Sequence, residues 1–138
     1  MTADRLRAAG LRVTQPRLTL LAALDAAPHS TVDELAGAVR RTRGSVSTQA
    51  VYDALEAFTA AGLARHVEPA GSPARFESRA GDNHHHVVCR RCGTTADVDC
   101  AVGRRPCLTP TESHGFVVDE AEVTYWGVCP SCQKEALA

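Results

Sequence analysis

The stretch VSTQAVYDALEAFTAAGLARHVEPAGSPARFES, residues 46–78, decides the fold of the first half of the chain. It begins with a helix-capping hydroxyl at position 47 or 48, and Val51, Leu55 and Phe58 follow on one face of the predicted helix. Gly62 is a natural end for that helix. Two short alternating segments around the turn PAGSP come next and predict a β-hairpin.

Two more helices are predicted upstream of this stretch. VTQPRLTLLAALDAA (13–27) has a threonine cap and a proline in its first turn, and STVDELAGAVRR (30–41) opens with the capping box Thr31-x-x-Glu34. Helix–turn–helix followed by a hairpin is the order of a winged helix, which lays its second helix in the DNA major groove. A helical packing unit without a ligand is the alternative.

The polar residues of this half favour DNA. Side chains at the start of the last helix, off its apolar face, are candidates to read bases, and arginines around it are candidates to neutralise phosphates. The predicted DNA-binding residues are Arg12, Arg17, Ser47, Thr48, Gln49, Tyr52 and Arg65. Arg43 is a further phosphate candidate, whereas Arg40 and Arg41 are interpreted as a solvated helix end.

The second half is rich in cysteine and histidine. HHHVVC, TTADVDC, GFVVDEA and VTYWGVC predict short strands, with mostly loop between Cys100 and Gly115 and a helical turn or two at the end. Two C-x-x-C pairs, separated by residues 93–128, predict one tetrahedral structural zinc site. Its ligands are Cys89, Cys92, Cys129 and Cys132. Cys100 and Cys107 remain, as free thiols or as a disulfide.

The histidines of GDNHHHVVCRRCG (81–93) predict a second metal site. In an extended strand His84 and His86 share one face, while His85 and Cys89 point the other way. The histidine pair and the cysteine pair therefore do not converge on one ion. From spacing alone, His29, Glu77 and Asp97 are only candidates to complete an open nitrogen and oxygen site.

Composition excludes several classes of protein. The chain has 138 residues, 44% of them hydrophobic, and a net charge of −1, which suits one or two small globular domains. Residues 1–76 hold nine arginines and seven acids, while residues 77–138 hold six basic residues and nine acids. Because we find neither an apolar run of membrane-spanning length nor a signal peptide, we expect a cytoplasmic protein that binds no membrane.

Five stretches together resemble the ferric uptake regulator (Fur) superfamily, over nearly the whole chain. They are LRVTQPRLTLL, VSTQAVYDALEAFTAAGL, ARFES, HHHVVCRRCG and VTYWGVCPSC. Within the superfamily the second half is similar to the actinobacterial FurA group, which is associated with catalase-peroxidase genes and a peroxide response (PerR-like). The resemblance implies an α+β fold: a winged helix-turn-helix DNA-binding domain at 1–78, then a small α/β dimerisation domain with structural zinc at 79–138.

The resemblance also implies the roles of particular residues. A regulatory site for Fe²⁺ or Mn²⁺, or for Zn²⁺ in vitro, falls on His29, Glu77, His84, His86 and Asp97. Metal there favours the orientation of two winged helices, in a homodimer, that fits an inverted-repeat operator in double-stranded DNA. We expect no small organic ligand and no enzymatic activity.

Some positions depart from the family pattern. Asn83 and His85 stand where iron-sensing members have the histidine and aspartate of a third site, which disfavours that site here. Asp53 stands where relatives often have arginine or asparagine. Glu77 with Asp97 is a mixed pair where peroxide sensors tend to carry two aspartates.

Several alternatives stay open at this point. The regulator would respond either to peroxide or to the availability of iron or zinc. Outside the family, a zinc enzyme or a zinc-ribbon interaction module remains, although the H-E-x-x-H and H-x-E…P-C-x-x-C signatures are missing.

Overall fold

The computed structural model describes residues 2–78, 84–100 and 106–137, with side chains described as far as residue 135. The chain divides into two compact units, Met1–Gly81 and Asp82–Ala138. The predicted boundary after residue 78 stays a prediction, because residues 79–83, Asn83 among them, lie outside the described residues. Within the described ranges no helix is long and apolar enough to cross a membrane.

The first unit consists of four helices and a small antiparallel sheet. The helices are α1 (Thr2–Ala8), α2 (Gln15–Ala26), α3 (Val32–Arg43) and α4 (Thr48–Ala60). The strands are β1 (Ser30–Thr31), β2 (Arg65–Val67) and β3 (Arg75–Glu77), in the order β1-β3-β2. The predicted helix–turn–helix and hairpin are confirmed, and the fold is a winged helix.

Leucine-rich faces of the helices make the core of this unit. Leu21 and Leu24 of α2 pack with Leu35 of α3 and with Leu55 and Phe58 of α4, and all five are at most 1% exposed. Burying each such side chain contributes about 1.5–3 kcal/mol, so the core fixes how the three helices cross. This packing leaves the opposite face of α4 on the surface.

The capping box of α3 is formed as predicted. Glu34 N donates to Thr31 Oγ1 at 3.2 Å, and Thr31 N donates to Glu34 Oε1 at 3.0 Å. The Thr31 N–H donor holds the pKa of the Glu34 carboxyl below its usual value. Because the folded pKa is the lower one, this contribution to stability is present at neutral pH and is lost as the pH falls through the folded pKa.

Thr31→Ala is expected to lower the free energy of unfolding by about 1 kcal/mol, because it removes the acceptor for the Glu34 N–H. Urea denaturation measures the change. Thr42→Ala in the same helix is the control, since its exposed hydroxyl only donates to the Ala38 carbonyl at 3.3 Å. Equal losses in the two variants would contradict a specific contribution from the cap.

The second unit is built on a three-stranded sheet. Its elements are β4 (His84–Cys89), β5 (Thr95–Asp99), β6 (Thr124–Gly127) and α5 (Pro130–Leu137). The central strand β4 pairs antiparallel with β5 and parallel with β6. Five of its six side chains are buried, on both faces of the strand.

One predicted strand is wrong for the single chain. GFVVDEA, residues 115–121, carries no strand, and Val117 is 96% exposed. Its alternating apolar residues have strand character but pair with no described strand of this chain. The local pattern reports strand preference, whereas a strand also needs a neighbour.

Candidate metal centres and nucleic-acid interface

The four knuckle cysteines converge at one end of the second sheet. Because β4 and β6 run parallel, with Cys89 opposite Gly127, the strands bring the first knuckle beside Cys129. The four Sγ atoms lie within 4.8 Å of one another, and those of Cys92 and Cys129 are 3.6 Å apart. A zinc ion bound tetrahedrally at roughly 2.3 Å keeps its sulfurs roughly 3.8 Å apart, so the four cysteines fit zinc.

The charge state of these thiols also suits a cation. Backbone N–H donors, that of Cys92 foremost and then that of Cys129, lower the pKa of Cys89 to about 6. The neighbouring sulfur of Cys129 instead raises the pKa of Cys132 to about 12. Several thiolates cannot share this space without a positive charge between them, and a divalent ion supplies it.

Two histidines and an aspartate converge on the other part of β4. His84 and His86 are buried, and the Nε2 atom of each lies 3.4 Å from Asp97 Oδ1. Asp97 stands directly opposite His86 in the antiparallel register with β5. Ligands that bind an ion at roughly 2.0–2.2 Å are roughly 3 Å apart, so these three groups fit one metal ion.

His29 and Glu77 form a pair in the first unit. His29 Nε2 lies 3.0 Å from Glu77 Oε2, and the Glu77 side chain is fully buried. Two hydrogen bonds to β3 hold His29 in place. The His29 N–H donates to the Phe76 carbonyl at 2.9 Å, and the His29 carbonyl accepts from Arg75 Nη1 at 3.0 Å. His29 has φ 66°, a left-handed conformation that non-glycine residues rarely adopt.

The predicted DNA-reading side chains lie on the exposed start of α4. Ser47 Oγ accepts from Ala50 N at 3.0 Å and caps the helix, and Gln49 Nε2 donates to Asp53 Oδ1 at 2.9 Å. Tyr52 projects from the same face with 44% of its surface exposed. The structure therefore gives Ser47 a capping role and places Gln49 and Tyr52 on the exposed side of the helix.

Arg40 has a role that the sequence did not indicate. Its Nε donates to the Val46 carbonyl at 3.0 Å, and its Nη2 donates to Thr48 Oγ1 at 3.1 Å. Arg40 is exposed in the last turn of α3, as interpreted, and it also ties α3 to the turn before α4. Its spacing of six and eight residues from these acceptors across a short turn was the available signal.

The phosphate candidates are spread over the first unit. Arg12 is exposed, while Arg17 is half-buried and its Nη1 donates to the Arg12 carbonyl at 2.9 Å. Arg65 is half-buried on β2 of the wing. These positions leave Arg12 the most accessible of the three for a phosphate contact.

Residues 8–126 match the sequence model of the ferric uptake regulator family. The chain belongs to the ferric uptake regulator family. The members of this family are transcriptional regulators, not enzymes. The chain is 60% identical to the transcriptional regulator FurA of Mycobacterium tuberculosis over 130 residues, which is 94% of this chain and 88% of that protein.

Two further matches concern metal and peroxide. The ferric uptake regulator of Pseudomonas aeruginosa with manganese has a similar structure, with a TM-score of 0.68 and 26% identity over 94% of this chain and 98% of that one. The peroxide-responsive repressor PerR of Staphylococcus aureus is 29% identical over 134 residues, 93% of this chain and 86% of that protein. The Fur family thus includes both metal-bound and peroxide-responsive relatives of this chain.

Proposed function

We propose that this Fur-family regulator is a metal-dependent repressor that senses peroxide and controls oxidative-stress genes of the catalase-peroxidase type. The observation that carries the proposal is the convergence of the buried imidazoles of His84 and His86 on the carboxylate of Asp97. Such a nitrogen and oxygen set suits Fe²⁺ or Mn²⁺, and also accepts Zn²⁺. The match to FurA at 60% identity supports it further.

The two metal centres have different tasks in this proposal. Zn²⁺ on the four cysteines is structural, because four thiolates leave no coordination position open. For the regulatory ion we propose the ligands His29 and Glu77 from the first unit together with His84, His86 and Asp97 from the second. The support is the pairing of each set within its own unit and the family resemblance.

DNA binding is assigned to α4 and its surroundings. The helix presents Thr48, Gln49 and Tyr52 on its exposed face, while its apolar face is held in the core. We propose that these side chains read bases in the major groove and that Arg12, Arg17 and Arg65 contact phosphates. A regulator of this kind acts on an inverted-repeat operator when two copies are joined.

A second copy of the chain is the proposed partner of the second unit. The apolar side chains of Phe116, Val117 and Tyr125 are 75%, 96% and 50% exposed. Each fully buried aromatic or valine side chain stabilises by about 1.5–3 kcal/mol, so burying these in a homodimer is favourable. The strand-like segment 115–121 would there find the neighbour that the single chain does not provide.

For peroxide sensing, Fe²⁺ held by these residues would supply the reduction of hydrogen peroxide beside oxidisable side chains. The imidazoles of His84 and His86 are buried next to Asp97, so they would be the first side chains to meet an oxidant formed at that position. Conversion of a ligand imidazole to its oxygenated form removes the lone pair that binds metal. Repression then ends because the metal-bound state loses its stabilisation.

We expect peroxide to add one oxygen to peptides that contain His29 or His84 and His86 when the protein carries Fe²⁺. The measurement is mass spectrometry after digestion, with operator binding followed in parallel by fluorescence anisotropy. The Mn²⁺ form is the control, since it should keep unmodified histidines at these positions and stay on the DNA.

A regulator of metal availability would give a different result. Operator binding would then follow the concentration of Fe²⁺ or Zn²⁺, and peroxide would leave both the histidines and the complex unchanged. That outcome would replace the peroxide assignment while keeping the metal-dependent repressor.

A further inference from the structure

The face of β4 opposite His84 and His86 carries a polar contact that metal regulation does not use. His85 is only 3% exposed. Its Nδ1 accepts a hydrogen bond from the Val123 backbone N–H at 3.2 Å, and its Nε2 lies 3.2 Å from Cys107 Sγ. Both ring nitrogens are thus engaged, one by the backbone and one by a thiol.

The backbone contact decides which nitrogen of His85 carries the proton. An N–H donor at Nδ1 requires a lone pair there, so the neutral imidazole has its hydrogen on Nε2. That N–H then points at the sulfur of Cys107 and donates to it. A donor aimed at sulfur stabilises the thiolate, which is the nucleophilic form of cysteine.

A second thiol lies beside this contact. Cys100 follows β5, and ligand atoms of His85, Cys100 and Cys107 all lie within 4.8 Å of one another. Both cysteines are half-buried thiols, so a small oxidant can reach them. When protonated, the Cys107 thiol donates a long hydrogen bond to the Ala121 carbonyl at 4.0 Å.

A metal ion is the other use of such a cluster, and the hydrogen bonds disfavour it. Coordination through Nε2 would move the imidazole proton to Nδ1, where it would face the Val123 N–H donor. Metal-binding histidines normally donate from the second nitrogen to an acceptor instead. Without the imidazole, the described residues of this cluster offer two sulfurs, fewer ligands than a structural zinc site needs.

We propose that Cys107 and Cys100 are a peroxide-reactive thiol pair, in which His85 activates Cys107 and Cys100 resolves the product. The Cys107 thiolate attacks one peroxide oxygen, the O–O bond breaks, and the leaving hydroxide takes a proton to become water. Cys100 then attacks the sulfenic sulfur and releases a second water. Overall, two thiols and one hydrogen peroxide give one disulfide and two waters, with sulfur oxidised and peroxide reduced.

The thiol pair and the proposed iron site would react with the same oxidant, hydrogen peroxide, and have nothing else in common. The thiol pair needs no iron, so the Mn²⁺-loaded and zinc-loaded full-length protein separates the two. In that form peroxide should link Cys100 to Cys107. With the remaining thiols blocked, cleavage at Asp97, Arg104 and Glu112 separates these two residues from the knuckle cysteines, so the disulfide is detected as a cross-linked peptide pair. The four knuckle cysteines should stay reduced and the zinc content unchanged.

Variants divide the roles within the pair. Cys100→Ser should accumulate a sulfenic acid on Cys107 that a 1,3-dione probe captures, whereas Cys107→Ser should leave Cys100 unlabelled. His85→Asn keeps an acceptor for the Val123 N–H but loses the donor to sulfur. It should slow alkylation of Cys107 by iodoacetamide roughly tenfold or more, with zinc content and melting temperature unchanged.

Three results would overturn the proposal. The first is oxidation of the knuckle cysteines before the Cys100 and Cys107 pair. The second is equal probe labelling in the two serine variants, a measurement that stands even if His85→Asn does not fold. The third is a further equivalent of zinc that depends on His85 and protects both thiols, which would make the cluster a metal site. None of these depends on whether iron oxidises histidines.

Discussion

Cys89→Ser should release the zinc ion and unfold the second unit at temperatures where the unchanged protein stays folded, and Cys132→Ser should do the same. Binding of zinc by four thiolates is worth roughly 10–16 kcal/mol apparent, comparable with the 5–15 kcal/mol that stabilises a whole domain. Both cysteines are buried, so a serine hydroxyl there would neither bind the ion nor reach water. Zinc analysis, thermal unfolding and size-exclusion chromatography measure the effect.

The matched control is Cys100→Ser. It also changes a cysteine of the second unit, but Cys100 lies outside the four sulfurs that converge. It should keep the full zinc content and an unchanged melting temperature. A Cys89→Ser protein that remains folded with its zinc bound would show that the knuckles do not hold the ion.

His29→Asn should abolish the tightening of operator binding by Fe²⁺ or Mn²⁺, which is expected to be roughly 5–150-fold for a coupled regulator. Asparagine tolerates the left-handed backbone that His29 adopts at φ 66°, so the turn before β1 is preserved. The asparagine side chain is too short to place an atom where His29 Nε2 lies, 3.0 Å from Glu77 Oε2. Fluorescence anisotropy with and without metal gives the ratio.

His114→Asn is the control for this variant. His114 also has a left-handed backbone, with φ 51°, but its side chain is 75% exposed in the second unit. It should keep the full metal response. If His29→Asn keeps that response as well, then His29 is not a regulatory ligand. Operator binding without metal should be the same in the unchanged protein, in His29→Asn and in His114→Asn, which would show that the winged helix is intact.

Local signals predicted the helices of the first unit well. The caps at Thr14, Thr31 and Ser47 and the apolar faces of α2, α3 and α4 are short-range features, and the structure has them as predicted. α1 was missed because a single leucine, Leu6, anchors it in the core. β1 was missed because two residues pair with β3 more than forty positions away, and such pairing has no local pattern.

The candidate sites were predicted to a different depth. The C-x-x-C spacing by itself predicts that both thiols of a knuckle bind one ion. The alternation of side chains along a strand placed His85 on the opposite face from His84 and His86. Neither could indicate that Val123 and Cys107 would meet His85, because the segment carrying Val123 reaches it only through the parallel pairing of β6 with β4. Roles on DNA and at the regulatory ion stay predictions until the variants are measured.

The alternation of side chains along β4 determines how different kinds of mutation affect this protein. His84 and His86 face Asp97 while His85 faces Cys107, so neighbouring residues of one strand belong to two separate clusters of side chains. A point substitution alters one of them, but an inserted or deleted residue inverts every side chain that follows it. The length of the strand is therefore what keeps the two sets of side chains on their separate faces.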